Sequence, residues 1–291
     1  MSRLLIIDGH AYAYRAFHAI RELRSPAGQP TNAIYGFVKM LEKMRAAVAP
    51  THLMVVWDGG LSEERLAALP DYKAQRPEMP ADLRPQLDGM VQYLAAAGIA
   101  SYRADGVEAD DYIATLARQA AEKWNVVIAS SDKDFMQLVS ARIGLLNPND
   151  KTGMIWGREQ VLAKTGVEPE QVADWLALMG DAVDNIPGVP SVGPKTAAEL
   201  LKQFGSVEKL LARLDEVKSD KLRQALRASS ATVVRNQKLV RLPAVPCQWV
   251  PEQLAVGAGD RAALSRLLAG WGFKGMLATL EAPGEKQVEL I

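Results

Sequence analysis

Nine acidic residues of this 291-residue chain fall into five short segments, each closing an apolar run or flanking a helical stretch. Asp8 and Asp58 each stand before a glycine. Glu108, Asp110 and Asp111 share G-V-E-A-D-D, Asp132 and Asp134 share S-D-K-D, and Asp181 and Asp184 share G-D-A-V-D. A lone aspartate in such a place is ordinarily a helix cap or a turn residue. One cap needs one acid, however, and adjacent like charges repel. Glu108 and Asp111, and again Asp181 and Asp184, are spaced i, i+3, which puts each pair on one helix face. If the five segments converge, their repulsion demands cations. The chain has one cysteine, and its three histidines (10, 18 and 52) lack a metal-ligand spacing. Oxygen-only ligation then favours Mg²⁺, with Mn²⁺ as a substitute, over zinc. Two such ions about 4 Å apart stabilise in-line attack at phosphorus. No Ser-His-Asp order is present, and His10 and His18 read as local polar contacts.

Convergence requires a frame. Residues 3–7 (R-L-L-I-I), 52–57 (H-L-M-V-V-W) and 125–131 (N-V-V-I-A-S-S) are continuous apolar runs, the pattern of strands buried on both faces, and each leads into one of the aspartates. Helical stretches at 33–48, 85–97 and 108–123 alternate with them, so the expected class is α/β, an open and mainly parallel sheet flanked by helices. Ligands of such sheets bind outside the carboxyl ends of the strands, where these aspartates fall. Met40, Leu41 and Met44 are core by helical spacing. From about residue 158 helical candidates follow one another, at 159–165, 169–179, 195–203, 206–214 and 219–228. The expected organisation is a core over 1–157 with a helical arch around 60–90, and a helical subdomain over 158–240. A C-terminal segment over 241–280, extended to 258 and then helical over 259–269, should pack back on the core, and the tail over 281–291 should fray.

Lys+Arg and Asp+Glu are both 34, a formal net charge of zero, which leaves a polyanionic partner open because charge can be segregated. The single cysteine, Cys247, excludes an internal disulfide and fits a reducing, cytoplasmic setting. The N-terminus meets Asp8 after four apolar residues, too few for a signal peptide or a membrane span.

Two further segments carry potential phosphate chemistry. D-Y-K-A-Q-R at 71–76 is a basic-aromatic cluster. Alone it reads as a solvated helix face, but beside an acidic cluster such cations would draw in a polyanion. G-V-P-S-V-G-P-K-T-A at 188–197 reads as a glycine-rich hairpin opening a helix. Gly188 and Gly193 allow close backbone approach, Pro194 suits a helix start, and Lys195, with Thr196 in the same first turn, adds charge at the amide end. An ordinary helix-turn-helix with glycine stops would look similar. Backbone-phosphate contacts of this kind position a duplex without reading its sequence.

Taken in order, these motifs resemble the 5′ nuclease family: the 5′→3′ exonuclease domain of bacterial DNA polymerase I, stand-alone 5′-3′ exonucleases and flap endonucleases. The matching pieces are L-L-I-I-D-G, Y-R-A-F-H-A at 14–19, A-I-Y-G-F at 33–37, V-V-W-D-G at 55–59, D-Y-K-A-Q-R-P at 71–77, G-V-E-A-D-D, S-S-D-K-D-F at 130–135 and the stretch 180–197. The resemblance implies a PIN-like fold with a helix-hairpin-helix of the H3TH type, and a metal-dependent 5′→3′ exonuclease and 5′-flap endonuclease of DNA replication and repair. It implies Asp8, Glu108, Asp110 and Asp132 near one ion and Asp134, Asp181 and Asp184 near a second, with Asp58 and Asp111 in the same cluster. It also implies Lys73 and Arg76 at the scissile phosphate, Tyr72 stacking on a base, Arg15 in the phosphate region, and a K⁺ held by carbonyls of the hairpin. The partner would be DNA with 5′ ends, flaps or single/double-strand junctions, met by a monomer away from any membrane. One departure matters: after Asp58 the family has a basic stretch with a Phe-Arg pair, whereas this chain has G-G-L-S-E-E-R-L, which bears on the arch and on the preference for flaps. Asn32, in place of a glycine, is the other departure. A phosphatase with an aspartate nucleophile would carry D-x-D after the first strand, where this chain has D-G-H. A binder that had lost its chemistry would lack acids, and all nine stand. RNA as the substrate stays open.

Overall fold

Apolar residues alternate between the two faces of a central sheet, which is why the strand sequences are hydrophobic without a break. The computed structural model describes residues 2–150 and 152–282. Strands β1 (Arg3–Asp8), β2 (His52–Val56), β3 (Ala100–Tyr102), β4 (Asn125–Ala129), β5 (Ile143–Leu146) and β6 (Ile155–Trp156) form a sheet in the order β3-β2-β1-β4-β5-β6. All neighbours are parallel except β6, which runs against β5.

The helices are α1 (Gly9–Ala19), α2 (Asn32–Val48), α3 (Glu63–Ala68), α4 (Arg84–Ala96), α5 (Ala109–Ala120), α6 (Arg158–Thr165), α7 (Val172–Met179), α8 (Pro194–Phe204), α9 (Val207–Ala212), α10 (Asp220–Ala228), α11 (Ser230–Val240), α12 (Pro251–Leu254), α13 (Arg261–Trp271) and α14 (Lys274–Glu281). Leu5, Ile7, Val55 and Val127 pack under Phe37, Leu41, Met90 and Leu268 of α2, α4 and α13. Leu4, Ile6, Val56 and Ile128 pack on Ile113 and Leu116 of α5, in a cluster that continues into Leu176, Leu201 and Val233 of α7, α8 and α11. The helical half thus shares a core with one face of the sheet. Each fully buried Leu or Ile contributes roughly 1.5–3 kcal/mol, so displacing the helical half would expose a large part of that face.

The strands and most helices fall where the sequence places them, and the stretch 242–250 is extended. Helices α1, α3, α11, α12 and α14 and strands β3, β5 and β6 are additional; α12, opened by Pro251, interrupts the segment expected to be extended to 258. Helix α11 is masked in the sequence because two of its core-facing residues are polar. Asn236 donates to the carbonyls of Ala177 (3.1 Å) and Pro187 (2.7 Å), and Gln237 donates to Asp174 at 2.7 Å. Strands β3 and β6 have three and two residues, too short for a periodic signal. The expected fraying tail over 281–291 falls mostly on residues 283–291, outside the described residues.

Candidate active site

The strand order turns back between β1 and β4; Asp8 closes β1, and the loop leaving β4 carries Asp132. Such a reversal opens a crevice at the carboxyl edge of an open sheet. Both aspartates do cap local structure. Asp8 accepts from the Ala11 amide at 3.0 Å and from the Ser130 hydroxyl at 2.9 Å. Asp132 accepts from the Asp134 amide at 2.9 Å, at the head of the 3₁₀ turn Lys133–Leu138. Capping and clustering are therefore not alternatives here, because the same carboxylates do both.

Asp58 leaves β2 on a loop zipped to the β3–α5 connection by hydrogen bonds from Trp57 N to Tyr102 O, Gly59 N to Val107 O and Gly106 N to Gly59 O, at 2.8–3.0 Å. Asp110 comes from the first turn of α5. Asp181 and Asp184 lie on a tight two-stranded hairpin, β7 (Gly180–Asp181) and β8 (Ile186–Pro187). Gly180 permits that hairpin: its φ is +75°, and a Cβ there would lie 2.4 Å from the Gly188 nitrogen.

Asp8, Asp58, Asp110, Asp132, Asp181 and Asp184 line one open cleft of about 790 Å³. Asp134 stands behind them, its Oδ1 buried and without a hydrogen-bond partner. Burial, reinforced by neighbouring Asp132 and Asp58, pushes Asp8 up to about 6. Burial followed by repulsion from Asp132 puts Asp110 and Asp134 well above the usual carboxylate range, and burial also raises Asp132. Burial and mutual repulsion of this kind favour a bound cation, which offsets both.

Protein cations meet part of that demand. Lys73 pairs with Glu108 at 2.5 Å, Arg76 with Asp184 at 2.6 Å and Lys133 with Asp181 at 2.9 Å. Correspondingly, among the described residues no three acid, histidine or cysteine side chains close on one point as they stand. The donor set is all oxygen and one buried oxygen is orphaned, which fits a hard divalent ion once the ammonium and guanidinium groups give way.

Several residues stand elsewhere than the resemblance implies. Asp111 is not in the cleft. Its two oxygens accept from Arg65 at 2.7 and 2.8 Å, and this buried guanidinium also donates to the carbonyls of Leu239 and Arg241 and pairs with Glu108. Glu108 is clasped by Lys73, Arg65, the Ser62 amide and the Tyr72 hydroxyl, and so does not line the cleft. Although burial opposes its charge, Lys73 and Arg65 hold its pKa below the usual range. Tyr72 is 4% exposed, with Lys73 Nζ 4.8 Å from its ring centre, so it offers no face to a base. Arg15 turns from the cleft and donates to Asn149 Oδ1 (2.6 Å) and the Pro148 carbonyl (2.7 Å). A Cβ on Gly188 would lie 2.1 Å from the Met179 carbonyl oxygen, so this glycine serves internal packing rather than approach by a ligand. Gly193, at the start of α8, has open space above it, and Lys195 beside it is exposed.

Lys73 has φ +55°, a left-handed conformation sparsely used by side-chain-bearing residues, and its amide donates to the Asp184 carbonyl at 3.0 Å. That bond ties the base of the 60–90 segment to the hairpin acids. Sequence reading missed Arg65, Lys133 and Arg103 as members of this neighbourhood. Lys133 was legible in principle, since S-D-K-D puts it between two site acids. His10 accepts from the Asp58 amide at 3.0 Å through Nδ1, and burial lowers its pKa. Arg65 carried no signal, because its partners lie more than forty residues away in sequence.

The chain matches the model of the 5′-3′ exonuclease N-terminal resolvase-like domain over residues 3–166 and that of the 5′-3′ exonuclease C-terminal SAM fold over 167–262. It is 42% identical over 244 residues to a 5′-3′ exonuclease of Aquifex aeolicus, covering 83% of this chain and 82% of that protein. It is 38% identical over 291 residues to DNA polymerase I of Bacillus caldotenax, covering 98% of this chain and 33% of the polymerase, so it spans about a third of that relative's length. Among solved structures, T5 5′-exonuclease with bound zinc superimposes with a TM-score of 0.69 at 27% identity, over 83% of this chain and 90% of that one. Both halves match, in order and nearly end to end, and the chain belongs to the 5′-3′ exonuclease family.

Proposed function

We propose that the chain hydrolyses DNA phosphodiesters at 5′ ends, flaps and single/double-strand junctions, releasing 5′-phosphate and 3′-hydroxyl products. The observation that carries this reading is the cleft: six carboxylates from five separate connections line it, with the orphaned oxygen of Asp134 behind them. Asp8, Asp110 and Asp132 would hold one Mg²⁺, with Glu108 behind them, and Asp134, Asp181 and Asp184 a second, Mn²⁺ substituting. When bound, such ions supply Lewis-acid polarisation at phosphorus and lower the pKa of a ligated water. Asp8, Asp110, Asp132 and Asp134, whose pKa values burial raises, would release their protons as an ion binds. Lys73, buried against Glu108, and the half-exposed Arg76 contribute charge beside the carboxylates, where each can exchange its partner for a phosphate oxygen. Asp58, fixed by the zipped loop, holds the far wall.

The opening of α8 would grip the duplex backbone, with free amides of its first turn, Lys195, Thr196 and the open approach over Gly193 all facing one phosphate. A K⁺ coordinated by hairpin carbonyls belongs to the same reading, as do action as a monomer in the cytoplasm and a place in replication and repair. No helix among the described residues is long and apolar enough to cross a membrane. The test is cleavage of a 5′-labelled flap duplex in Mg²⁺ against EDTA, with Asp132→Asn alongside. Short 5′ fragments should appear only with metal and fall at least a hundredfold in the variant. Equal cutting by Asp132→Asn would overturn the assignment of the cleft.

A further inference from the structure

Four basic side chains line the cleft, and three are already matched to carboxylates at 2.5–2.9 Å: Lys73 to Glu108, Arg76 to Asp184 and Lys133 to Asp181. Those carboxylates are at most 10% exposed. Arg103 differs. Its only acidic partner among the described residues is Asp105, 3.7 Å away and 94% exposed, a pairing in high dielectric that contributes little. Its Nε donates to the Asp58 carbonyl at 3.2 Å, which fixes the base of the guanidinium and leaves the terminal nitrogens without another hydrogen bond among the described residues.

The ground beneath it is rigid. Besides the three backbone bonds that zip residues 57–59 to 102–107, a Cβ on Gly59 would come within 1.7 Å of the Ala104 carbonyl oxygen, so the two loops are in closest contact there. This rim stands at the β3–β2 end of the row of strand termini, whereas Lys133, paired with Asp181, follows β4. It is also the place where G-G-L-S-E-E replaces the basic stretch expected after Asp58. On this rim the β3–α5 connection supplies a further positive charge, Arg103.

We propose that Arg103 is a substrate-contact residue that binds a backbone phosphate of the DNA at the β2–β3 end of the cleft. This inference rests on the DNA-hydrolase reading above. A planar guanidinium presents two parallel donors to phosphate oxygens, and one anchored through Nε has less freedom to lose on binding. The floor of the cleft is acidic, so a strand crossing it needs cations along its edge. Lys73 and Arg76 are engaged with Glu108 and Asp184, and Arg103 adds an unengaged guanidinium at the β2–β3 rim.

The experiment is fluorescence anisotropy of a labelled 5′-flap duplex, in EDTA and in Ca²⁺, across a salt series. Arg103→Gln should weaken binding roughly five- to tenfold and reduce the slope of log K against log salt by about one contact. Arg103→Lys, which keeps the charge and loses the fork, should recover part of the affinity and all of the slope. Melting temperatures should match the wild type, since the side chain is 62% exposed. If the wild type binds and Arg103→Gln binds equally with the same slope, this inference is overturned while the parent reading stands. If the wild type binds no flap duplex in either buffer, the DNA-hydrolase reading itself falls.

Discussion

Replacing Asp111 by asparagine separates a structural carboxylate from a metal-binding one. Arg65 is nearly excluded from solvent and sends both terminal nitrogens to Asp111, at 2.7 and 2.8 Å. Asparagine can accept one of these bonds and turns an N–H₂ donor toward the other nitrogen. Removing one partner of a buried ion pair typically costs 3–5 kcal/mol. Glu108 still lies 3.0 Å from Arg65 and one acceptor survives, so the cost falls at or just below the lower end of that range, about 2–3 kcal/mol. For a chain of this size that is a fall in Tm of about 5 °C. Asp110, one residue earlier, predicts the opposite. It is repelled by Asp132, Asp8 and Asp134, so Asp110→Asn should raise the Tm of the metal-free protein and weaken Mn²⁺ binding at least tenfold. Thermal melts in EDTA and calorimetric Mn²⁺ titration read the two effects separately. The reasoning fails if Asp111→Asn leaves Tm within 1 °C of wild type and loses Mn²⁺ affinity as Asp110→Asn does.

Stability of the metal-free protein should fall as pH rises. Asp8 is raised from 3.8 to about 6, so the folded state binds more protons than the unfolded chain between these values, and roughly 3 kcal/mol is lost as pH climbs through that window. Asp110, Asp132 and Asp134 shift in the same direction, whereas His10, lowered by burial, opposes them. Melts in EDTA should therefore give a higher Tm at pH 5 than at pH 7.5, with Mg²⁺ closing the gap; a Tm that rises over this interval contradicts the charge balance described above. The two hairpin glycines should also part company. Gly188→Ala forces a Cβ onto the Met179 carbonyl and should cost more than 2 kcal/mol in urea unfolding, while Gly193→Ala, with open space above it, should stay within about 0.5 kcal/mol. Equal costs would mean that the hairpin packs differently.

Much of this molecule was legible before folding. Apolar runs ending in Asp8, Asp58 and Asp132 specify buried parallel strands with acids at one edge, because period and burial are local properties of the chain. Acid spacing in G-V-E-A-D-D, S-D-K-D and G-D-A-V-D is likewise local, and it pointed to an oxygen-lined site. Which acids share the cleft was not local. Asp110 and Asp111 are neighbours in sequence, yet successive helix positions differ by about 100° in direction, and only the packing of α3 against α11, which aims Arg65 at α5, decides which of the two it meets. The same holds for Arg15, held by a loop more than 130 residues away, and for Tyr72, whose ring the core takes up. Arg103 and Asp58 are read as strangers in the sequence and become neighbours because β2 and β3 pair. Local chemistry sets what a residue can do; charge pairing across the sheet, which depends on the whole fold, sets what it is left free to do.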